Sequence, residues 1–407
     1  MGLVSSRRDL RLLVGSVGVS TAGDFLAIIA LALSIKQTSG GGFAVAGLFI
    51  ALWAPAVVFA GLAGLVVDRF ENRAIIIAVA LGQAAIVTAL AFTHSVGVIL
   101  ALTALMGIGF AIAQPAEFAL LPQAAGEDRI AIANGHMETA RYLGMTAGPL
   151  FGGTLVAAGG TGTALLVDAA SFLAVAVAAV ALRARRRPQA PAEDSGERER
   201  ARDGILFLFG DRTLALVMAV AFASLLFMTA SAPAEVFFAT DVLGAGELGY
   251  GALMTAWTVG MVIGAVVVAR RVPARVVVPA VLGLVALQGL GLALPSLWLV
   301  FGFAAGAFVV GGIAHAAKNV LVRTLIHERA PESLRGRAFA AYSGLRNGAE
   351  LVALVGGGAL VSVAGARWTL FVAGAGAVLA GLVGLAAWRA LHGRDAAVPV
   401  ELAAQSG

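Results

Sequence analysis

Cysteine is absent from this chain of 407 residues, so disulfides, thiol chemistry and cysteine-ligated metals are excluded. Charge is scarce as well. Asp, Glu, Lys and Arg together make 13% of the residues, about half the share usual in a soluble protein. So few charges cannot cover a water-facing surface. Lysine occurs only at Lys36 and Lys318, and neither stands in a glycine-rich phosphate loop, which argues against an ATP-driven pump. There is no HExxH, no GxSxG and no cluster of His or Cys, so a polytopic enzyme has no visible active site. No cofactor or metal is called for.

What the chain does have is apolar length. Hydrophobic residues make 60% of it and the mean hydropathy is +0.94, so lipid is the expected solvent. Runs of about 20 apolar residues cross a bilayer. They fall at 12–35, 44–67, 74–94, 96–120, 132–158, 163–182, 213–240, 248–269, 276–295, 297–322, 338–363 and 367–388. The expected fold class is an all-α integral membrane protein of twelve spans, with the lipid bilayer as its first partner. The 52 glycines suit close helix packing in lipid. The first run follows Arg7, Arg8 and Arg11 as a signal peptide would, but it is long and further spans follow at once. It therefore reads as a retained helix.

A net charge of +5 does not mark a nucleic-acid binder, because the arginines sit in short connectors. Alternate connectors carry Arg69 and Arg73; Arg129; the arginines from Arg183 to Arg212; Arg270, Arg271 and Arg275; and Arg329, Arg335 and Arg337. The intervening connectors carry only Lys36 and Arg367. By the positive-inside rule both termini and the central connector face the cytoplasm. The expected organisation is a six-helix half at 1–182, a polar linker at 183–212, a second six-helix half at 213–391 and a tail at 392–407. The halves repeat weakly. Arg141/Arg346, Gly152/Gly357, Gly153/Gly358 and Gln114/Asn319 share an offset of 205, while Trp53/Trp257 and Gly47/Gly251 suggest 204. A parallel repeat places a transport site between halves, near the middle of the membrane.

Between the second and third spans lies GLAGLVVDRFENR, Gly61 to Arg73. Gly61 and Gly64 let a helix end approach a neighbour closely. Asp68 and Arg69 open a short charged turn that Arg73 closes. This stretch resembles the loop signature of the major facilitator superfamily, with Phe70, Glu71 and Asn72 where the signature has glycine and tandem basic residues. In the fifth span GMTAGPLFGG places Gly144, Gly148, Gly152 and Gly153 as a groove on one helix face, and Pro149 bends the helix. Close packing alone explains such a pattern. The run also resembles the helix-five motif of that superfamily's drug:proton antiporters, which implies export and a pliable seal between helices. Gly23-Asp24, Gln114-Pro115 to Leu121-Pro122, Asn134, Asp168-Ala-Ala-Ser-Phe and Arg335-Gly-Arg337 look like its macrolide-efflux and siderophore-exporter branch. No arginine stands in helix four, so the coupling role attached to that residue elsewhere is not carried over.

Charged residues inside spans cost roughly 2.5–3.5 kcal/mol each on insertion scales, so each needs a reason. Asp24, midway along the first span, is the leading candidate for proton coupling; the plainer reading is a hydrogen bond to a neighbouring helix. Glu235, beyond Pro233 in the seventh span, is a second candidate or a group at a wetted mouth. Arg141 has Glu138 three residues before it and Arg346 has Glu350 four after, spacings that share a helix face. These are either neutralised pairs or arginines that trap and release a carboxylate. Glu117 is a candidate gate partner for Arg69 or Arg73. Lys318, near His315, either meets an anionic substrate or snorkels to the interface. Asp168 reads as a structural hydrogen-bonding group. Phe25, Phe227 and Trp257 suit an apolar cavity, or plain packing.

The reading is a monomeric transporter in the bacterial plasma membrane. It exports small, largely apolar, drug- or macrolide-like molecules by proton antiport and alternating access. The alternative is a siderophore or metabolite exporter or facilitator on the same fold, with a polytopic receptor or enzyme behind it.

Overall fold

A computed structural model of the chain describes residues 2–39, 41–126, 129–185 and 197–395. Those residues hold helices and short connectors, with no strand among them. This is the arrangement hydrocarbon demands, since a helix satisfies its backbone polar groups within one segment. Of the expected linker, 186–196 lies outside the described residues, as does 396–407 of the expected tail.

The twelve apolar runs are all present. The first is Gly2–Ser39, and the second is Gly42–Val58 continued by Ala60–Arg69 across a 60° bend. Pro55 lies one turn before that bend and removes a backbone donor. The third and fourth are Asn72–Ala91 and Val96–Ala125. The fifth and sixth run without a loop as Ile130–Ala181, broken at Gly160. The seventh ends in a π-helical turn, Phe238–Val242. The eighth begins at Gly246, the ninth is centred on Val277–Ala293, and the tenth is Phe301–Arg329. The last two form Glu332–Asp395, broken at Gly365.

The breaks at Gly160 (φ 78°, ψ 172°) and Gly365 (φ 75°, ψ 167°) need glycine, because a side chain resists positive φ. They stand 205 positions apart, which is the interval read from Arg141 and Arg346.

Within the expected linker, Glu197–Gly210 is a helix. Past Pro191 the sequence turns to good helix formers, and one face finds partners. Leu208 is fully buried, Asp203 pairs with Arg337 at 2.7 Å, and Gly204 lies against the Arg337 carbonyl. Asp211 caps the seventh span, accepting from the Leu214 amide at 2.7 Å, and pairs with Arg329.

By contact density the chain forms two compact units. One comprises 1–194, 232–258 and 354–367; the other comprises 195–231, 259–353 and 368–407. The first unit is built on the first span packed along the fifth and sixth, with the third and fourth alongside. Glycine explains how closely they lie. A Cβ on Gly144 would stand 2.7 Å from the Gly18 carbonyl, one on Gly148 2.5 Å from that of Ala22, and one on Gly152 2.9 Å from that of Leu26. Three glycines at intervals of four thus form one seam against the first span.

Gly153 does not share that face, as the single-groove reading expects. One residue is a turn of about 100° on a helix. Gly153 therefore faces the eighth span, where its Cβ would meet Glu247 O at 2.6 Å and the Cα atoms of Leu248 and Gly251 at 3.2 Å. Gly358 makes the same contact in the repeat, against Gly42, Phe43 and Ala46. Every member of the second seam is 205 positions from its counterpart in the first. The partner of Gly251 in the repeat is therefore Ala46, and the offset of 204 read from Gly47 gives way to 205.

Candidate coupling and transport site

In the first unit the ionisable side chains gather around the first span. Asp24 is half-buried and lines a small recess with Ile28, Phe49, Leu52, Thr103, Met106 and Phe110. Its Oδ1 is enclosed without a hydrogen-bond partner among the described residues, and so is the Thr103 hydroxyl. The carboxylates of Asp168 and Glu117 and the guanidinium of Arg141 lie within electrostatic range of Asp24.

Gly23 makes this gathering possible. A Cβ there would stand 2.1 Å from Asp168 Oδ1 and 2.4 Å from Ser171 Oγ. Its absence admits the sixth span to the side of the first. Asp168 is fully buried and accepts from Ser171 at 3.1 Å, which accounts for the Asp-Ala-Ala-Ser spacing of one helical turn. Asp168 Oδ2 has no hydrogen-bond partner among the described residues.

Arg141 donates to Glu117 Oε2 at 3.0 Å, and its guanidinium lies 5.1 Å from the Phe118 ring centroid. Local spacing points it instead to Glu138, which is exposed. Glu117 in turn does not pair with Arg69 or Arg73. Arg69 is exposed, and Arg73 donates to the Val180 carbonyl at 2.6 Å. Asp68 is half-buried at the end of the second span. The residues that depart from the loop signature do much of its anchoring. Asn72 is fully buried and donates to Ala116 O at 3.2 Å, and Glu71 meets Arg185 at 3.4 Å. Gly61 and Gly64 make no close approach, for nothing lies within 4 Å of a Cβ on either.

Phe25 is half-buried beside Gly148, whose Cβ would stand 2.7 Å from that of Phe25. Glu235 is half-buried within electrostatic range of Tyr250, and Trp257 is half-buried on the eighth span. Lys36 pairs with Asp241 and lies 5.9 Å from the Phe237 ring centroid.

In the second unit Arg346 pairs with Glu350 at 2.9 Å, one turn along the same helix. Phe227 packs on Gly376, where a Cβ would stand 2.3 Å from the ring. Lys318 does not snorkel. It is 2% exposed, and its Nζ donates to Gln288 Oε1 at 2.9 Å and Ser224 Oγ at 3.2 Å. No group of three or more His, Asp or Glu side chains able to hold a metal occurs among the described residues.

Sequence reasoning missed Phe49, Thr103, Met106 and Phe110, which carry no signal beyond being apolar or small. It missed Asp9 too, which is 2% exposed and accepts from the amides of Arg183 at 3.0 Å and Ala184 at 2.7 Å. Lys36 and Asp241 did carry a signal, namely their interval.

The recess has room for about one water-sized group beside one carboxylate. A proton or a hydrogen-bond donor is what its unpartnered oxygens lack. Residues 13–348 match the family model of the Major Facilitator Superfamily. The chain is 24% identical over 397 residues to an uncharacterized MFS-type transporter, YfiS, of Bacillus subtilis, with 94% of each chain covered. It is 27% identical over 400 residues to the multidrug efflux pump Tap of Mycobacterium tuberculosis, again covering 94% of each. Its fold is similar to the crystal structure of the nucleoside transporter NupG, with a TM-score of 0.72 at 14% identity over 94% of this chain and 99% of that one. A bacterial homolog of the human lysosomal transporter Spinster, inward-facing and unoccupied, is similar at TM-score 0.70 and 15% identity, covering 96% and 98%.

Proposed function

The chain belongs to the Major Facilitator Superfamily, and from that premise we propose that it exports small, largely apolar molecules across the bacterial plasma membrane in exchange for protons. The observation that carries this reading is the recess at Asp24, apolar on every side except for one carboxylate and one hydroxyl. The likeness to a multidrug efflux pump supports export and a broad substrate class. The resemblance of Gly144 to Gly153 to the antiporter motif supports the same direction.

In this mechanism Asp24 binds either a proton or the substrate's cationic or hydrogen-bonding group. The two compete for one carboxylate, and that competition is sufficient for exchange. Arg141, held by Glu117, tunes the charge around Asp24, while Glu235 and the Arg346–Glu350 pair are the next candidates for coupling. The glycine seams of the fifth span flex as the halves, 1–182 and 213–391, alternate about the 183–212 linker. The Gly61–Arg73 turn acts as the cytoplasmic gate. The chain works as a monomer with both termini in the cytoplasm, as the placement of arginine supports.

The test is transport of ethidium, a lipophilic cation, into inverted vesicles carrying the protein, with the lumen made acidic. Accumulation above equilibrium that an uncoupler abolishes is the expected result. Accumulation indifferent to the pH gradient would remove proton coupling, and equilibration alone would mark a facilitator.

A further inference from the structure

The second unit contains a buried cation that the reading above leaves without a task. Lys318 is 2% exposed, and its two hydrogen-bond partners, Ser224 and Gln288, are both neutral and fully buried. No carboxylate forms an ion pair with it among the described residues. The ionisable groups within electrostatic range are His315 on its own span and Arg346 on the eleventh. Both are potential cations, and the Arg346 guanidinium is turned to Glu350. Its hydrogen-bond partners on the seventh and ninth spans are Ser224 and Gln288.

A permanent charge in this setting is uncompensated, and burying one is expensive. The fold does not require it. Stepping back by the repeat interval of 205, Lys318 corresponds to Ala113 and Ser224 to Val19, while Gln288 corresponds to Gln83. The first half builds the same helices with only the glutamine, whose Nε2 donates to the Met106 carbonyl. Lysine and serine stand at these positions in the second half alone.

The partners suit a group that changes its protonation. An ammonium donates to a hydroxyl oxygen and an amide oxygen, as seen here. A neutral amine instead offers a lone pair. The Ser224 hydroxyl can rotate to donate into it, and the Gln288 amide can turn its NH₂ toward it. Gln288 Nε2 has no hydrogen-bond partner among the described residues, so the turn gives up only what Oε1 accepts, from Lys318 Nζ at 2.9 Å and from Ser224 Oγ at 3.4 Å, and brings an idle donor to the amine. A carboxylate partner could not reverse in this way.

We propose that Lys318, with Ser224 and Gln288, is a second proton-exchange site, in which the ammonium gives up one proton and the resulting amine takes one back during the cycle. No other atom is exchanged. The inference rests on the proton-coupled reading above, to which it adds a carrier independent of Asp24.

Because lysine occurs only at 36 and 318, protein made with ε-¹³C-lysine carries two signals, and the Lys36→Gln variant carries one. The experiment follows the Lys318 carbon in nanodiscs as pH is stepped across the range in which vesicles pump ethidium. The expected result is movement between the ammonium and amine positions. A signal fixed at either position throughout overturns the proposal, whatever Asp24 does. In vesicles, Lys318→Met and Lys318→Arg should both lose pH-driven ethidium accumulation by about tenfold or more, while downhill exchange stays within about twofold. Arginine keeps the charge but cannot release the proton, so it should not rescue. Uphill pumping by either variant at the unmodified rate also overturns the proposal. If the variants fail to fold, the carbon signal decides alone. A titrating Lys318 beside an Asp24→Asn variant that still pumps would sustain this site and remove Asp24 from coupling.

Discussion

Lys36 and Asp241 stand 205 positions apart and form an ion pair. That separation is the interval of the internal repeat, so each residue is the other's counterpart. Two equivalent positions are thus in direct contact. Identical charges there would repel. The pair forms because the two positions carry opposite charges. Gly153 and Gly358, also 205 positions apart, make equivalent contacts with Gly251 and Ala46.

The first prediction tests this latch. Lys36→Asp or Asp241→Lys places like charges together, and the double exchange restores an attractive pair in mirror order. The pair is partly exposed, at 19% and 53%, so it is worth roughly 0.2–1 kcal/mol, a shift of up to about fivefold in populations. The readout is maleimide labelling of Ala46→Cys, now 1% exposed in the seam. Both single variants should label faster and the double variant should return to the starting rate. A double variant as fast as the singles would deny the pair any role in closing the seam.

Side chains in the seams should be costly and those at Gly61 should not. Gly153→Leu and Gly148→Leu force helices apart against backbone atoms, for an expected loss of about 1–3 kcal/mol each. Gly61→Ala meets open space and should gain slightly in helix propensity, by up to about 1 kcal/mol. Thermal unfolding in detergent ranks the three. Equal losses at Gly61 and Gly153 would contradict the seam geometry.

Breaking the Arg141–Glu117 pair should hurt more than removing it. Arg141→Met leaves Glu117 with a carboxylate in the interior, and Glu117→Gln leaves a guanidinium. Each should cost up to about 3 kcal/mol, and the double variant less than the sum. A double-mutant cycle on unfolding measures the coupling, and additive losses would mean that the pair is incidental.

Asp24→Asn holds the site in its uncharged form. It should abolish uphill ethidium transport yet leave exchange of an uncharged substrate partly intact. Asp24→Glu, one methylene longer, should retain some coupling. Vesicles assayed with and without an imposed pH gradient separate these outcomes. Continued accumulation by Asp24→Asn would make the residue structural and turn attention to Glu235.

Orientation is tested by cysteine labelling in whole cells, which the absence of native cysteine makes clean. Cysteines at Thr38 and Leu243 should react from outside. One at Ala190, in the linker, should react only after the membrane is opened. Labelling of residue 190 in intact cells would invert the topology.

Much of this protein was legible from its sequence alone. Twelve apolar runs dictated twelve helices, because lipid tolerates no other backbone arrangement in single segments and because run length maps directly onto bilayer thickness. The repeat could be read as well, since Gly152 and Gly357 or Arg141 and Arg346 are equivalent by simple count. Only the tertiary structure decided partnership. Arg141 turns from Glu138, one helical turn away, to Glu117 on another span. Gly152 and Gly153 are neighbours in sequence but pack on different helices. Phe49 and Phe110 become walls of the Asp24 recess, and Lys318 is enclosed by Ser224 and Gln288. The physical reason is common to all four. Periodicity along one helix states which residues share a face, but which helix that face meets is set by close packing among spans distant in the chain, and hydropathy, nearly uniform in lipid, carries no record of it.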